Sequence, residues 1–136
     1  MCHNGSFQGA FAVRFLDGDK RRAVLLNDLS YIDMAGRKHT AHAGLVFDGL
    51  SIPRLLWLMP ALGSPWTGPY RKASPIHDAE CTEARACQIT NLRRAARYAA
   101  DQNLREMVGV LGGGRTIQSI VYRGVRVGAW WDEVRR

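Results

Sequence analysis

The sequence predicts an α+β fold, an N-terminal antiparallel β-meander followed by a long Pro/Trp-rich loop and three helices packed on the sheet. Three observations predict it. Short β-prone runs separated by glycine turns crowd the first third of the chain. Prolines and tryptophans fill the middle, where no period persists. Helical apolar periodicity appears only after Pro75. Strands grouped before helices are the order of an α+β domain rather than of alternating β-α-β units.

Taken in order, Phe11–Phe15, Ala23–Leu26 and Leu29–Ile32 read as strands, and Lys38–Ala43 supplies another. The turns between them contain Asp17-Gly18-Asp19 and Ala35-Gly36-Arg37, where glycine accepts positive φ at no steric cost. His39 and His42 fall on opposite faces at period two, so they are not expected to share a metal. From Leu45 to Tyr70, Pro53, Pro60, Pro65 and Pro69 stand beside Trp57 and Trp66, with one helical turn expected around Arg54 to Leu58. Loops of this length in compact domains tend to be functional.

Ser74-Pro75 predicts the start of a helix from Ile76 to about Cys87, with Pro75 in the first turn. Asn91 is the expected cap of a second, whose apolar face is read as Leu92, Ala95, Ala96, Ala99, Asn103, Met107 and Leu111. Gly112-Gly113-Gly114 stops it, and no Lys-Ser or Lys-Thr follows to make a phosphate loop. A third helix from about Thr116 to Trp131 buries Ile117, Ile120, Val121 and Val125, with Gly124 and Gly128 allowing close approach of a neighbour. Arg93, Arg94, Arg97, Arg123 and Arg126 lie off these apolar faces and are expected in solvent.

At 136 residues the chain is read as a single domain, 1–136, with a strand-rich part (1–46), a motif-bearing loop (47–74) and a helical part (75–136). An apolar fraction of 46% and a charged fraction of 23% are those of an ordinary globular protein and argue against disorder. No apolar run approaches the roughly 20 residues that span a bilayer, and the first residues lack the order of a signal peptide, so neither a membrane nor export is expected. Cys2, Cys81 and Cys87 are an odd number without CxxC spacing, which fits a reducing cytoplasm and small buried groups better than a disulfide or zinc framework. The net charge of +7 implies attraction to an anionic ligand such as nucleic acid or nucleotides, or to an acidic protein or polymer. The arginines lack the interleaved aromatics of a single-strand-binding surface.

Two segments stand apart from core and turn logic. One is Phe47-Asp48-Gly49-Leu50-Ser51-Ile52-Pro53-Arg54 with Trp57, the other Ser74-Pro75-Ile76-His77-Asp78. A His-Asp pair at a helix start offers an imidazole nitrogen and a carboxylate to one ion or one water. Asp101 returns beside them if the helices pack antiparallel. Each piece also has a plain structural use: Asp-Gly as a turn, Asp78 as a partner of the helix dipole, His77 as a satisfied core residue. A Ser51-His77-Asp triad matches by residue type but lacks the GxSxG elbow, and ranks below metal or acid–base use.

Asp48-Gly49-Leu50-Ser51-Ile52-Pro53, Trp57, His77-Asp78, Ala100-Asp101 and Tyr122–Gly128 with Trp130 or Trp131 together resemble the domain of unknown function 1353 family, over about Ala43 to Trp131. That family is found mainly in bacteriophages and prophages. The resemblance implies a phage origin, work in the cytoplasm of an infected host, and motif positions at Asp48, Ser51, His77, Asp78 and Asp101. Where the family commonly has an aromatic after the His-Asp pair, this chain has Cys81.

The leading expectation is a metal-assisted hydrolase of an anionic substrate, a phosphodiester or nucleotide. Asp48, His77, Asp78 and Asp101 would hold a divalent cation. His77, Asp78 and Ser51 would serve catalysis, with Ser51 at the rim, and Arg54, Arg71 and Trp57 would contact substrate. Cell-wall peptide or glycan is a further enzymatic option. The alternative from another class is a non-catalytic phage protein that binds a host defence factor or nucleic acid, in which the same residues form a buried polar network.

Overall fold

The computed structural model describes residues 4–16, 18–48, 66 and 68–136; the side chains of residues 19–21 are not described. The expected helical turn at Arg54 to Leu58, together with Cys2, Ser51, Arg54 and Trp57, lies outside these residues.

Strands come first and helices after, as an α+β chain. The strands are β1 (Ser6–Gln8), β2 (Val13–Leu16), β3 (Asp19–Leu25), β4 (Leu29–Ile32), β5 (Lys38–Ala41) and β6 (Val46–Phe47), and the helices are α1 (Ala73–Ala86), α2 (Thr90–Val110) and α3 (Arg115–Val134). The strands form two three-stranded antiparallel sheets, β1-β4-β5 and β2-β3-β6, where a single meander was expected. The reason is a switch after β3. The chain leaves β3 at Leu25 and pairs Leu29 with Ala41 and Tyr31 with Phe7, while β6 returns to β3 through Ala23 and Phe47. Gly18 and Gly36 hold φ of +75° and +82° at the turns, the conformation for which glycine was read there.

The inward faces of both sheets and the helices share one core, in which Leu25, Leu29, Tyr31, Ala41 and Phe47 meet Ile76, Leu104, Met107, Val121 and Val125. Helix α1 lies against β4, β5 and β6 and packs on α2, which in turn packs on α3. Pro75 does sit in the first turn of α1, whose N-cap is Lys72, so the helix begins earlier than Ile76. Gly113 makes the tight α2–α3 turn possible: a Cβ there would lie 2.6 Å from Val108 Cγ1. At Gly128, by contrast, a Cβ would meet nothing within 4 Å, so the expected close approach of a neighbour does not occur there.

The buried face of α2 matches the one counted from its apolar residues only towards the C-terminus, at Asn103 and Met107. Leu92 is exposed, as are Ala95, Ala96 and Ala99, whereas Arg93, Ala100, Asp101, Asn103, Leu104, Met107 and Val108 are buried. The N-terminal half departs from that count because its inward side is fixed by ion pairs as well as by apolar burial. Arg93 binds Glu133 through two hydrogen bonds of 2.8 and 3.1 Å, and Arg97 binds Asp132 at 3.1 Å. Arg93 is therefore buried, and Arg97 and Arg126 are drawn into partly buried contacts, contrary to their expected exposure; Arg94 and Arg123 are exposed. A guanidinium that gains two charge-assisted bonds offsets its desolvation, which an apolar count cannot register.

Candidate functional site

Helices α1 and α2 pack side by side and bring His77 to Asp101. His77 Nε2 lies 2.7 Å from Asp101 Oδ1, with the two side chains 5% and 0% exposed. With the Nε2–H donating to the carboxylate, Nδ1 becomes the basic nitrogen; Cys81 Sγ, one turn along α1, lies 3.4 Å from Nε2 and 3.9 Å from Nδ1. Asp101 also accepts from Arg126 Nη1 at 2.9 Å and from Arg97 Nε at 3.4 Å. Burial alone would raise the Asp101 carboxyl, but the His77 bond and the two guanidiniums hold it below the ordinary carboxylate value.

Asp78, the next residue of α1, has the opposite fate. Burial and the charge of Asp48 push its carboxyl up to about 6, although it accepts a hydrogen bond from the Asp48 backbone N–H. Asp48 itself is exposed at the end of β6. The four residues read from the sequence thus fall into two pairs, a sealed His77–Asp101 pair and a more accessible Asp78–Asp48 pair, joined where His77 and Asp78 are neighbours on α1. One member of each pair reaches a cavity of about 220 Å³, lined by His77, Asp78, Cys81, Arg85, Arg97, Val125, Gly128 and Asp132; Asp48 and Asp101 are not among its walls. Its two arginines are clamped by one carboxylate, since Arg85 Nη2 and Arg97 Nη1 each donate to Asp132 Oδ2 at 3.1 Å.

Two donor sets could take a cation. His77, Cys81 and Asp101 place one ligand atom each within 4.8 Å of one another. Both arginines on Asp101 oppose a cation there, and burial pushes the Cys81 thiol up to about 12, so it would have to be deprotonated against that cost. The Asp78–Asp48 pair carries like charges that a cation would relieve, and its oxygen donors suit a hard divalent ion. Asp78→Asn should therefore stabilise the metal-free protein near neutral pH. A carboxyl raised above its ordinary 3.8 favours the fold below that value and loses this contribution as pH rises through about 6. The gain should be on the order of 1–2 kcal/mol after allowing for partial exposure, read as the urea midpoint, and it should vanish below about pH 4.

Arg71 is not part of this cavity; it is exposed, donates to the Gly68 carbonyl at 3.4 Å and lies over the Phe11 ring. Sequence reasoning missed Arg85, Arg97, Arg126 and Asp132. The i,i+4 spacing of Arg97 and Asp101 was the available signal, whereas the reach of Arg126 and Asp132 from α3 had none.

A second, larger cleft of about 630 Å³ opens between the β4–β5 turn and α2, with Asp33, His39, Glu80, Asn103 and Glu106 among its walls. His39 spans Asp33 Oδ2 at 2.9 Å and Glu80 Oε1 at 2.7 Å, tying the sheet to α1.

Compared with known proteins, the chain matches the family model described as Protein of unknown function (DUF1353) over residues 23–125. The chain belongs to that family. It is 38% identical over 89 residues to the uncharacterized protein y4jT of Sinorhizobium fredii, covering 64% of this chain and 26% of that protein. It is 37% identical over 75 residues to y4iH of the same organism, covering 55% of this chain and 30% of the relative. The chain therefore spans less than a third of the length of these curated relatives. No solved structure matches it. Every motif residue that carries the DUF1353 resemblance from Asp48 to Asp101 falls within the matched span.

Proposed function

We propose that this DUF1353 chain is a small hydrolase of an anionic ester, a phosphodiester or nucleotide, of phage origin and acting in the cytoplasm of the infected host. The observation that carries the reading is the buried His77–Asp101 pair beside an arginine-walled cavity. Asp101 orients the imidazole, and Nδ1 of His77 takes a proton from water as its oxygen attacks phosphorus; the same proton then returns to the leaving alkoxide. Arg85 and Arg97 meet the negative charge of the substrate. Asp78 and Asp48 would hold a divalent cation, which when bound supplies a Lewis acid for the ester oxygen.

The test is hydrolysis of bis(para-nitrophenyl) phosphate and of nucleotides with and without added Mn²⁺, Mg²⁺ or Ca²⁺. Wild-type protein should turn over at least one of them with at least one ion, and His77→Ala should lower the rate by about 10²–10⁴. The cation should raise the thermal midpoint of wild type but not of Asp78→Asn. Absence of turnover with every ion would refute the hydrolase.

One observation favours a second reading: Asp101 is completely buried and His77 nearly so, as in a structural polar network. In that reading the chain is a non-catalytic phage protein that binds a host defence factor or nucleic acid. It expects no turnover, no cation effect, and stability losses alone when His77 or Asp101 is replaced.

A further inference from the structure

Opposite its buried stripe of Val121, Val125 and Ala129, α3 carries a second apolar stripe. Val127, Trp130, Trp131 and Val134 recur at i, i+3, i+4 and i+7, which places them on one side of the helix, and they are 62%, 61%, 46% and 59% exposed. The two indole rings lie 6.0 Å apart. Two tryptophans left in water on one helical face call for an occupant, because contiguous exposed apolar surface of this kind marks an interaction site.

The charges around the stripe select the occupant. Both carboxylates at this end of α3 are taken up on its inner side: Asp132 by Arg85 and Arg97, Glu133 by Arg93 and Arg94. Arg123, Arg135 and Arg136 are exposed, and the Arg135 guanidinium lies 4.6 Å over the Trp131 ring. The outward face is thus apolar with cations at its margin and without a carboxylate of its own. We propose that this face of α3 docks in the headgroup region of an anionic lipid surface, with Trp130 and Trp131 at the boundary between headgroups and acyl chains.

Tryptophan favours that boundary because its ring is apolar and its N–H remains hydrated, and arginines near an anionic surface each strengthen partition roughly fivefold. Among the described residues no helix is long and apolar enough to cross a membrane, so α3 would lie on the surface rather than span it. A second copy fits less well, because a two-fold contact would bring the arginines of one face towards those of the other with no carboxylate between them. The proposal does not rest on the hydrolytic reading, since its readout is binding without turnover. Gly128 and Asp132, which line the smaller cavity, alternate along the helix with these docking residues.

Co-sedimentation with vesicles of phosphatidylcholine alone, and of phosphatidylcholine with phosphatidylglycerol in equal parts, tests the proposal on the full chain. Wild-type protein should sediment with the anionic vesicles only, and added salt should release it. Trp130→Ala/Trp131→Ala should weaken partition by at least about tenfold, and Arg123→Gln/Arg135→Gln by a similar factor. If the alanine pair disturbs the thermal midpoint, Trp130→Phe and Trp131→Phe serve in its place: each should remove part of the tryptophan quenching caused by bromine-labelled phosphatidylglycerol. Failure to bind anionic vesicles overturns the proposal, and so does equal binding by the tryptophan variants. A dimer that the double substitution converts to monomer would assign the face to a second copy, and tighter binding to polyglutamate than to vesicles would assign it to an acidic protein.

Discussion

Asp101→Ala is expected to lower stability by about 3 kcal/mol, because removing one member of a buried ionic group leaves its partners desolvated and unpaired. Three donors on three helices converge on this carboxylate: His77 from α1, Arg97 from its own helix and Arg126 from α3. The loss falls mainly on His77 and Arg97, since the Arg126 side chain is 36% exposed and lies over the Tyr98 ring. Asp101→Asn keeps the volume and one acceptor, and should cost only about 1–2 kcal/mol. That difference separates fold from chemistry. If His77 activates water, the asparagine variant should fold and still lose most of its turnover, because an amide no longer stabilises the protonated imidazole. The carboxyl lies below its ordinary value of 3.8, so its contribution is present above that pH and is lost as the solution is acidified further. Urea midpoints for the three proteins across pH measure this; coincident curves for wild type and Asp101→Asn below neutrality would contradict the paired carboxylate.

Asp33→Ala should be comparably damaging, at about 3 kcal/mol, although this residue was not singled out as a site. Its Oδ1 accepts the backbone N–H groups of Ala35 and Arg37 at 2.9 Å each, and its Oδ2 accepts Arg37 Nε at 2.8 Å and His39 Nε2 at 2.9 Å. One carboxylate thus closes the β4–β5 turn and holds the histidine that reaches Glu80 on α1. Burial would raise it, but the His39 and Arg37 bonds win and bring it down to about 2. A depressed carboxyl stabilises the fold above its ordinary value and loses that contribution as pH falls through about 2, so roughly 2 kcal/mol should disappear over this acid range. Asp33→Asn should show a flatter acid limb in the same denaturation series, and an unchanged limb would show that the carboxylate is not the origin.

The elements with strong local signals were legible. Gly18 and Gly36 gave the turns their positive φ, Pro75 fell in a first helical turn, and the glycines after Leu111 ended α2. Less legible was the division into two sheets, because β1 is three residues long and its partner β4 lies beyond two other strands. The α2 face was misread in its N-terminal half since periodicity weighs apolar side chains, whereas Arg93 and Asp101 are buried through partners on α1 and α3. For the candidate site, the ordered motif brought Asp48, His77, Asp78 and Asp101 to notice. The surrounding arginines did not stand out, because a basic composition reads first as a solvated exterior.

The convergence of α1, α2 and α3 on Asp101 also bears on how the molecule breathes. Amide protons around His77, Arg97 and Arg126 are tied to one opening, because all three side chains bind the same buried carboxylate and separating the helices strips Asp101 of its partners. These three stretches should exchange together, with one shared opening free energy close to that of global unfolding, while the outward termini of the same helices exchange earlier. The polar centre would then act as the cooperative clasp of the helical half, formed in the same step in which the three helices dock.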